Sequence, residues 1–236
     1  RRTKEDAQKT RTALLASAER LFLANGVTRT SLSQIAHDAG VTRGAVYWHF
    51  ENKSDLLNQL LDHVRISPEK IMQVTNDNSS QHPLRLLRDL CVEGVNALAI
   101  DQQKGRVMKI LLHRCEFTDE LIAAEARHNF LIIQLIDQCE QIFASNIEIL
   151  QPGVTPRMAA ISIHALIISL FTDWTRNTQL FDPIGDSGPL IDPLFRGLVR
   201  NWENIDDLAA LLSRSYVFVT TTLQHSDRIA VLCAGK

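Results

Sequence analysis

The chain has 236 residues, 45% of them apolar and 22% charged, with a formal net charge of −2. That is enough chain to bury the core of one large or two modest domains. No uninterrupted apolar run approaches the roughly 18 residues of a membrane helix; "ISIHALIISLF" (161–171) is short and carries a histidine, and the basic start "RRTKEDAQKTR" lacks the apolar stretch of a signal peptide.

Helical periodicity dominates from the first residues onward. Leu14, Leu15, Ala18, Leu21 and Phe22 recur at spacings of three and four, and Asn25-Gly26 stops that helix. In "TSLSQIAHDAG" Thr30 or Ser31 caps a second helix, Ser31 and Gln34 fit a capping box, and Gly40 supplies a left-handed stop. Thr42 caps a short third helix running to about Phe50. Ser54 with Asp55 opens a fourth, interrupted at Pro68, where the helix should kink or break.

Pro83 then reads as a first-turn proline of a helix to about Ile100. "KGRVMKILLHRCEF" forms another, ending near Phe117. Asp119 caps a long helix to about Leu150, and Thr155-Pro156 starts one to about Asn177. Asn204 caps a last helix from about Ile205 to Leu223, although its β-branched run would also suit a strand. Segments 77–82 and 181–193 read as loops from their Asp, Ser, Gly and Pro content. Within 182–204, however, Leu190, Ile191, Leu194, Phe195, Leu198, Val199 and Trp202 leave room for a short extra helix over a dimer seam or a pocket mouth.

Charge is divided along the chain. Residues 1–53 hold nine Lys and Arg against five Asp and Glu, a net +4, and residues 54–236 carry the remaining 16 against 22, a net −6. A basic head on an acidic body places a polyanion at the head. The four cysteines (Cys91, Cys115, Cys139, Cys233) show no C-x-x-C pair and read as reduced thiols of a cytoplasmic protein. "HRCE" (113–116) with His128 does not place ligands on one helical face, so no metal is expected. No nucleophile elbow, phosphate-binding loop or zinc-protease motif nominates an enzyme or a cofactor.

Two short helices joined by Ala39-Gly40-Val41 make a helix-turn-helix. A helix entering the major groove needs small leading residues, which Gly44 and Ala45 provide. Arg43 can reach a guanine or a phosphate, and Thr42 offers a hydroxyl and a methyl. "GVTRTSLSQIAHDAGVTRGAVYWHFENKSDLL" closely resembles the DNA-binding signature of the TetR family of bacterial repressors, and "GVTRGAVYWHFENKSDL" looks especially like its drug-efflux-pump repressors. "ILLHRCEFTDEL" (110–121) is similar to a second block of that subgroup.

The resemblance implies an all-α fold: a three-helix DNA-binding head over 1–53, and a larger ligand-binding and dimerisation body over 54–236. It implies a homodimer on double-stranded operator DNA, released by a small hydrophobic or amphipathic ligand, with no membrane involvement. DNA contacts would come from Thr30, Thr42, Arg43 and Gly44, from Tyr47 and His49 on phosphates, and from Lys53 as a cationic phosphate contact. Trp48 either flanks the DNA backbone or packs on the first helix. Arg2 and Lys4, with Arg1, form a minor-groove arm or a solvated tail.

Met108, Leu112, Leu135, Ile167 and Ile168 would line the ligand cavity. His113 and His164 are either satisfied core groups or ligand contacts. The helices 156–177 and 205–223 would form a four-helix dimer interface with a second copy. A rival reading has oxidation of Cys115 or Cys139 as the signal.

Overall fold

In the computed structural model, residues 4–64, 70, 71, 74 and 81–206 are described. Arg1, Arg2, Pro68, the segment 77–80 and most of the expected last helix lie outside them. The described residues form nine α-helices and short 3-10 turns.

The head begins with α1, Lys4–Asn25, which ends where Gly26 adopts φ +86°, a conformation strained for any residue with a Cβ. Helix α2, Leu32–Asp38, carries the expected capping box: Gln34 N–H donates to Ser31 Oγ, and the Gln34 side chain accepts from Ser31 N–H at 2.7 Å. Helix α3, Arg43–His49, starts at Thr42, whose hydroxyl accepts from Ala45 N–H at 3.3 Å. Helix α4 spans Lys53–Leu61. Its cap is Asn52, accepting from Asp55 N–H at 2.9 Å, rather than Ser54. Ser54 is instead drawn inward to donate to the Glu120 carbonyl.

Leu14, Phe22, Ile35, Val46, Phe50, Leu57 and Leu60 are fully buried in one cluster. The same cluster takes in Val107, Ile110, Leu121 and Ala124 from the body, so apolar packing is continuous from head to body. The 53/54 boundary expected from sequence falls at the first residues of α4, a helix that packs with the head.

The body comprises α5 (Pro83–Ile100), α6 (Gln102–His113), α7 (Ile122–Ala144), α8 (Pro156–Arg176) and α9 (Pro183–Leu198). Asp101 ends α5 and caps α6 through Gln103 N–H and Lys104 N–H, forcing a tight corner. Helix α6 stops at His113, short of the Phe117 expected, and a 3-10 turn at Asp119–Leu121 leads into α7. Helix α7 packs on α8, and α9 packs on α5. Leu150 and Val199 pair as an isolated antiparallel bridge that ties the ends of α7 and α9 together.

One expectation is corrected here. The stretch 181–193 is not a loop: the extra helix that 182–204 left room for spans Pro183–Leu198. Asp182 caps α9, Pro183 sits at its first turn, and Pro183, Ser187, Ile191, Phe195 and Leu198 form the buried face at helical spacing. Pro189 and Pro193 lie on the exposed face, where water can serve the carbonyls their missing N–H groups leave unpaired. Helix α8, 21 residues long, is long and apolar enough to cross a membrane by length and composition alone, as core helices also can be. It owes this to its flanks beyond 161–171; Ala159, Ala160, Ile163, Leu170 and Phe171 on one side enter the core.

His82 caps α5, its Nδ1 accepting from Leu84 N–H at 3.2 Å. Burial holds its pKa below the ordinary 6.5 even though Asp206 and Glu148 pull the other way. His164 is lowered too, by burial alone. Both rings are harder to protonate folded than unfolded, so their contribution to stability is intact above pH 6.5 and is lost as pH falls below it. Thermal melts between pH 7.5 and 5 should show the midpoint falling with acid. His82→Asn, which keeps a capping side chain, should flatten part of that slope, and an unchanged slope would show that His82 does not carry it.

Candidate DNA-recognition helix and ligand cavity

Helix α3 turns two faces to two tasks. Val46 and Phe50 point into the head's core. Thr42, Arg43 and Gly44 are exposed, as are Tyr47 (48%) and Trp48 (74%). A Cβ at Gly44 would meet nothing within 4 Å, so packing inside the protein does not require glycine there. The Arg43 guanidinium lies over the Tyr47 ring at 5.7 Å, which restricts both side chains on the outer face. His49 is half-buried, its ring edge-on to Trp48 at 4.7 Å. Trp48 therefore does not pack on α1.

Lys4 is the exposed first residue of α1 and is helical, so any arm is confined to the residues before it.

Two expected DNA contacts point elsewhere. Thr30 is 1% exposed, and its hydroxyl donates to the Gly26 carbonyl at 2.8 Å inside the α1–α2 loop. Lys53 is 4% exposed. Its ammonium donates to the carbonyls of Thr28 (3.3 Å) and Thr30 (3.1 Å) and pairs with the Glu120 carboxylate at 2.7 Å. As the first residue of α4, Lys53 aims its stem back beneath the α1–α2 loop, and the loop carbonyls replace water around the charge.

Sequence reasoning did not find this seam between head and body. Val27 N–H donates to the Arg114 carbonyl at 2.9 Å, and Ser54 Oγ to that of Glu120 at 2.8 Å. Buried Glu19 of α1 is held by Arg106 and Gln103 of α6. Arg127 of α7 pairs with Asp62 at 3.0 Å.

Within the body, a cavity of about 170 Å³ lies among α5, α6, α7 and α8. Met108, Leu135, His164, Ile167 and Ile168 line it, joined by Cys91, Phe171 and, near the head, Leu61, Val64 and Ile71. Leu112 and His113 do not line it. Leu112 packs half-buried against the body's core. The His113 ring Nε2 meets the Thr172 carbonyl at 3.2 Å and Thr175 Oγ1 at 3.0 Å, a bond that joins α6 to α8.

Cys139 also lines the cavity and Cys115 is half-buried; burial pushes both thiols up to about 11, and Cys91 higher still. Protonated thiols are poor nucleophiles, which disfavours the thiol-oxidation reading. Cys115→Ser and Cys139→Ser should leave the response to peroxide in a reporter assay unchanged.

Residues 14–60 match the tetR family of bacterial regulatory proteins, and residues 82–200 match the C-terminal region of MAATS-type transcriptional repressors. The chain is 34% identical to the transcriptional regulator TtgR of Pseudomonas putida over 81% of its own length and 92% of TtgR. Among solved structures it resembles NalD, the secondary repressor of the MexAB-OprM multidrug efflux pump in Pseudomonas aeruginosa, with 51% identity, a TM-score of 0.80, and coverage of 84% of this chain and 100% of that one. It also resembles SmeT of Stenotrophomonas maltophilia in complex with triclosan, at 26% identity and a TM-score of 0.69, covering 81% of this chain and 92% of SmeT. The C-terminal match takes in α9, so residues 183–198 belong to the body that these repressors share. Two independent matches, one on each side of the head–body seam, lead to one conclusion: the chain belongs to the TetR family of bacterial transcriptional regulators.

Proposed function

We propose that this chain is a cytoplasmic homodimer that represses a multidrug efflux pump operon by binding a palindromic operator, and that a small hydrophobic ligand in the body releases it. The observation that carries the reading is one arrangement. An outward-facing recognition helix stands on a head bonded to residues 114–120, the segment that follows cavity-lining helix α6. NalD and SmeT are named as repressors of such pumps, and SmeT has been solved with a drug-like ligand, which supports the same reading.

The dimer seam expected from 156–177 and 205–223 is reassigned in part, since residues beyond 206 lie outside the described chain. Helix α8 exposes Met158 and Ile161, and α9 exposes Ile184 and Leu190, an unpaired apolar surface suited to a second copy. Two heads would then meet half-sites about one helical turn, ~34 Å, or a multiple of it apart. Ligand acts only through its affinity difference between the two head spacings.

Gel-shift titration on the DNA flanking the gene, across salt and with a drug panel, tests the proposal. Affinity should fall steeply with salt, and a subset of apolar compounds should release the DNA. Affinity that ignores both sequence and salt would sink it. Ile161→Glu should yield monomers in sedimentation and cost at least tenfold in operator affinity.

A further inference from the structure

The cavity wall contains no Asp, Glu, Lys or Arg among the described residues. Its hydrogen-bonding side chains include His128, His164, Gln134 and Gln138, the two amides one turn apart on α7. His128 is engaged, its ring stacked on Phe117 at 6.0 Å. His164, Gln134 and Gln138 make no hydrogen bond among the described residues. All three are half-buried, and a ligand with matching groups would gain hydrogen bonds from them.

The charge state of that ligand follows from the same wall. A cation entering would shed its hydration with no carboxylate among the described lining to meet it, and a permanent anion would find no ammonium or guanidinium there. Burial keeps His164 neutral near pH 7, so the ring offers one N–H donor and one nitrogen acceptor. A hydroxyl can use either. The size also follows: a cavity of about 150 Å³ admits benzene, so about 170 Å³ holds one aromatic ring, or two after modest repacking.

Resting on the reading of this cavity as the inducer site, we infer that it selects small uncharged aromatic compounds bearing a hydroxyl group, and that His164 distinguishes them from bare hydrocarbons and from amines of the same shape. Apolar walls alone would rank ligands by buried area. The half-buried imidazole adds a preference for a hydrogen-bonding group, and a wall without carboxylates among its described residues disfavours ammonium ions.

Three bicyclic probes of nearly equal size test this on the intact protein without DNA: 2-naphthol, naphthalene and 1-naphthylmethylammonium. Equilibrium binding at pH 7.5 should place 2-naphthol about tenfold tighter than naphthalene, the worth of one hydrogen bond. The ammonium probe should bind weakest of the three. His164→Leu should remove the advantage of 2-naphthol while leaving naphthalene within about twofold, a control that the variant is folded. His164→Gln, which keeps a donor and an acceptor, should restore part of it.

Absence of 2-naphthol binding, equal or tighter binding of the ammonium probe, or a 2-naphthol affinity unmoved by His164→Leu would each overturn the inference. Operator release is read separately. Selective binding of 2-naphthol without release would overturn the ligand-response reading and leave this one standing; release by ligands that ignore His164 would do the reverse.

Discussion

Lys53→Met should lower the thermal midpoint by on the order of 10 °C and weaken operator binding while leaving the salt dependence of that binding unchanged. The ammonium is almost entirely enclosed and serves Thr28, Thr30 and Glu120 together. Methionine fills the space of the stem but leaves two loop carbonyls without a donor. Glu120 is 57% exposed, so its loss of a partner costs little. Unsatisfied carbonyls cost about 1–3 kcal/mol each, and in a chain of this size each kcal/mol moves the midpoint by roughly 2–4 °C. A phosphate contact behaves differently. Removing one reduces the slope of log affinity against log salt by about one per copy and leaves the fold intact. A shallower slope with an unchanged melt would show that Lys53 leaves its enclosure to meet DNA.

Arg43→Ala should cost about 1–3 kcal/mol per half-site, the worth of a good bidentate arginine–base pair, and hence roughly 2–6 kcal/mol for a symmetric dimer. The loss should concentrate at one base pair of each half-site, because an exposed guanidinium at the leading end of α3 reads bases only if it reaches them. Its placement over Tyr47 already restricts it before DNA arrives, so little ordering cost remains. Tyr47→Phe with His49→Ala should instead weaken binding almost equally on all sequences, as phosphate contacts do. Binding measured against a library of single-base operator variants separates the two patterns. An Arg43→Ala loss spread evenly over that library would move Arg43 to the phosphates.

Local chemistry was legible in the sequence wherever a residue acts on its near neighbours. The Ser31–Gln34 box, the Thr42 cap, the helix start at Thr155-Pro156 and the first-turn Pro83 all concern atoms within three residues. Five of the seven cavity residues that the family resemblance implied do line the cavity: Met108, Leu135, His164, Ile167 and Ile168. Tertiary context decided the rest. Helix α9 carries three prolines and three glycines, a loop composition, and is helical because its buried positions recur every three or four residues against α5. Whether Lys53 points out or in depends on carbonyls 23 and 25 residues away, and no local pattern encodes that. His113 likewise found its partners on α8, not in the cavity.

Val27, Thr28, Lys53 and Ser54 of the head all bond to residues 114–120. That short stretch is therefore a joint between head and body, and under the proposed function any coupling it carries is a free energy that must be the same in both directions. If a ligand lowers operator affinity thirtyfold, operator DNA must lower ligand affinity thirtyfold. A joint softened by several glycines should leave both affinities almost intact and erase only their product term. Such a protein would bind drug and DNA at once, each event unaware of the other.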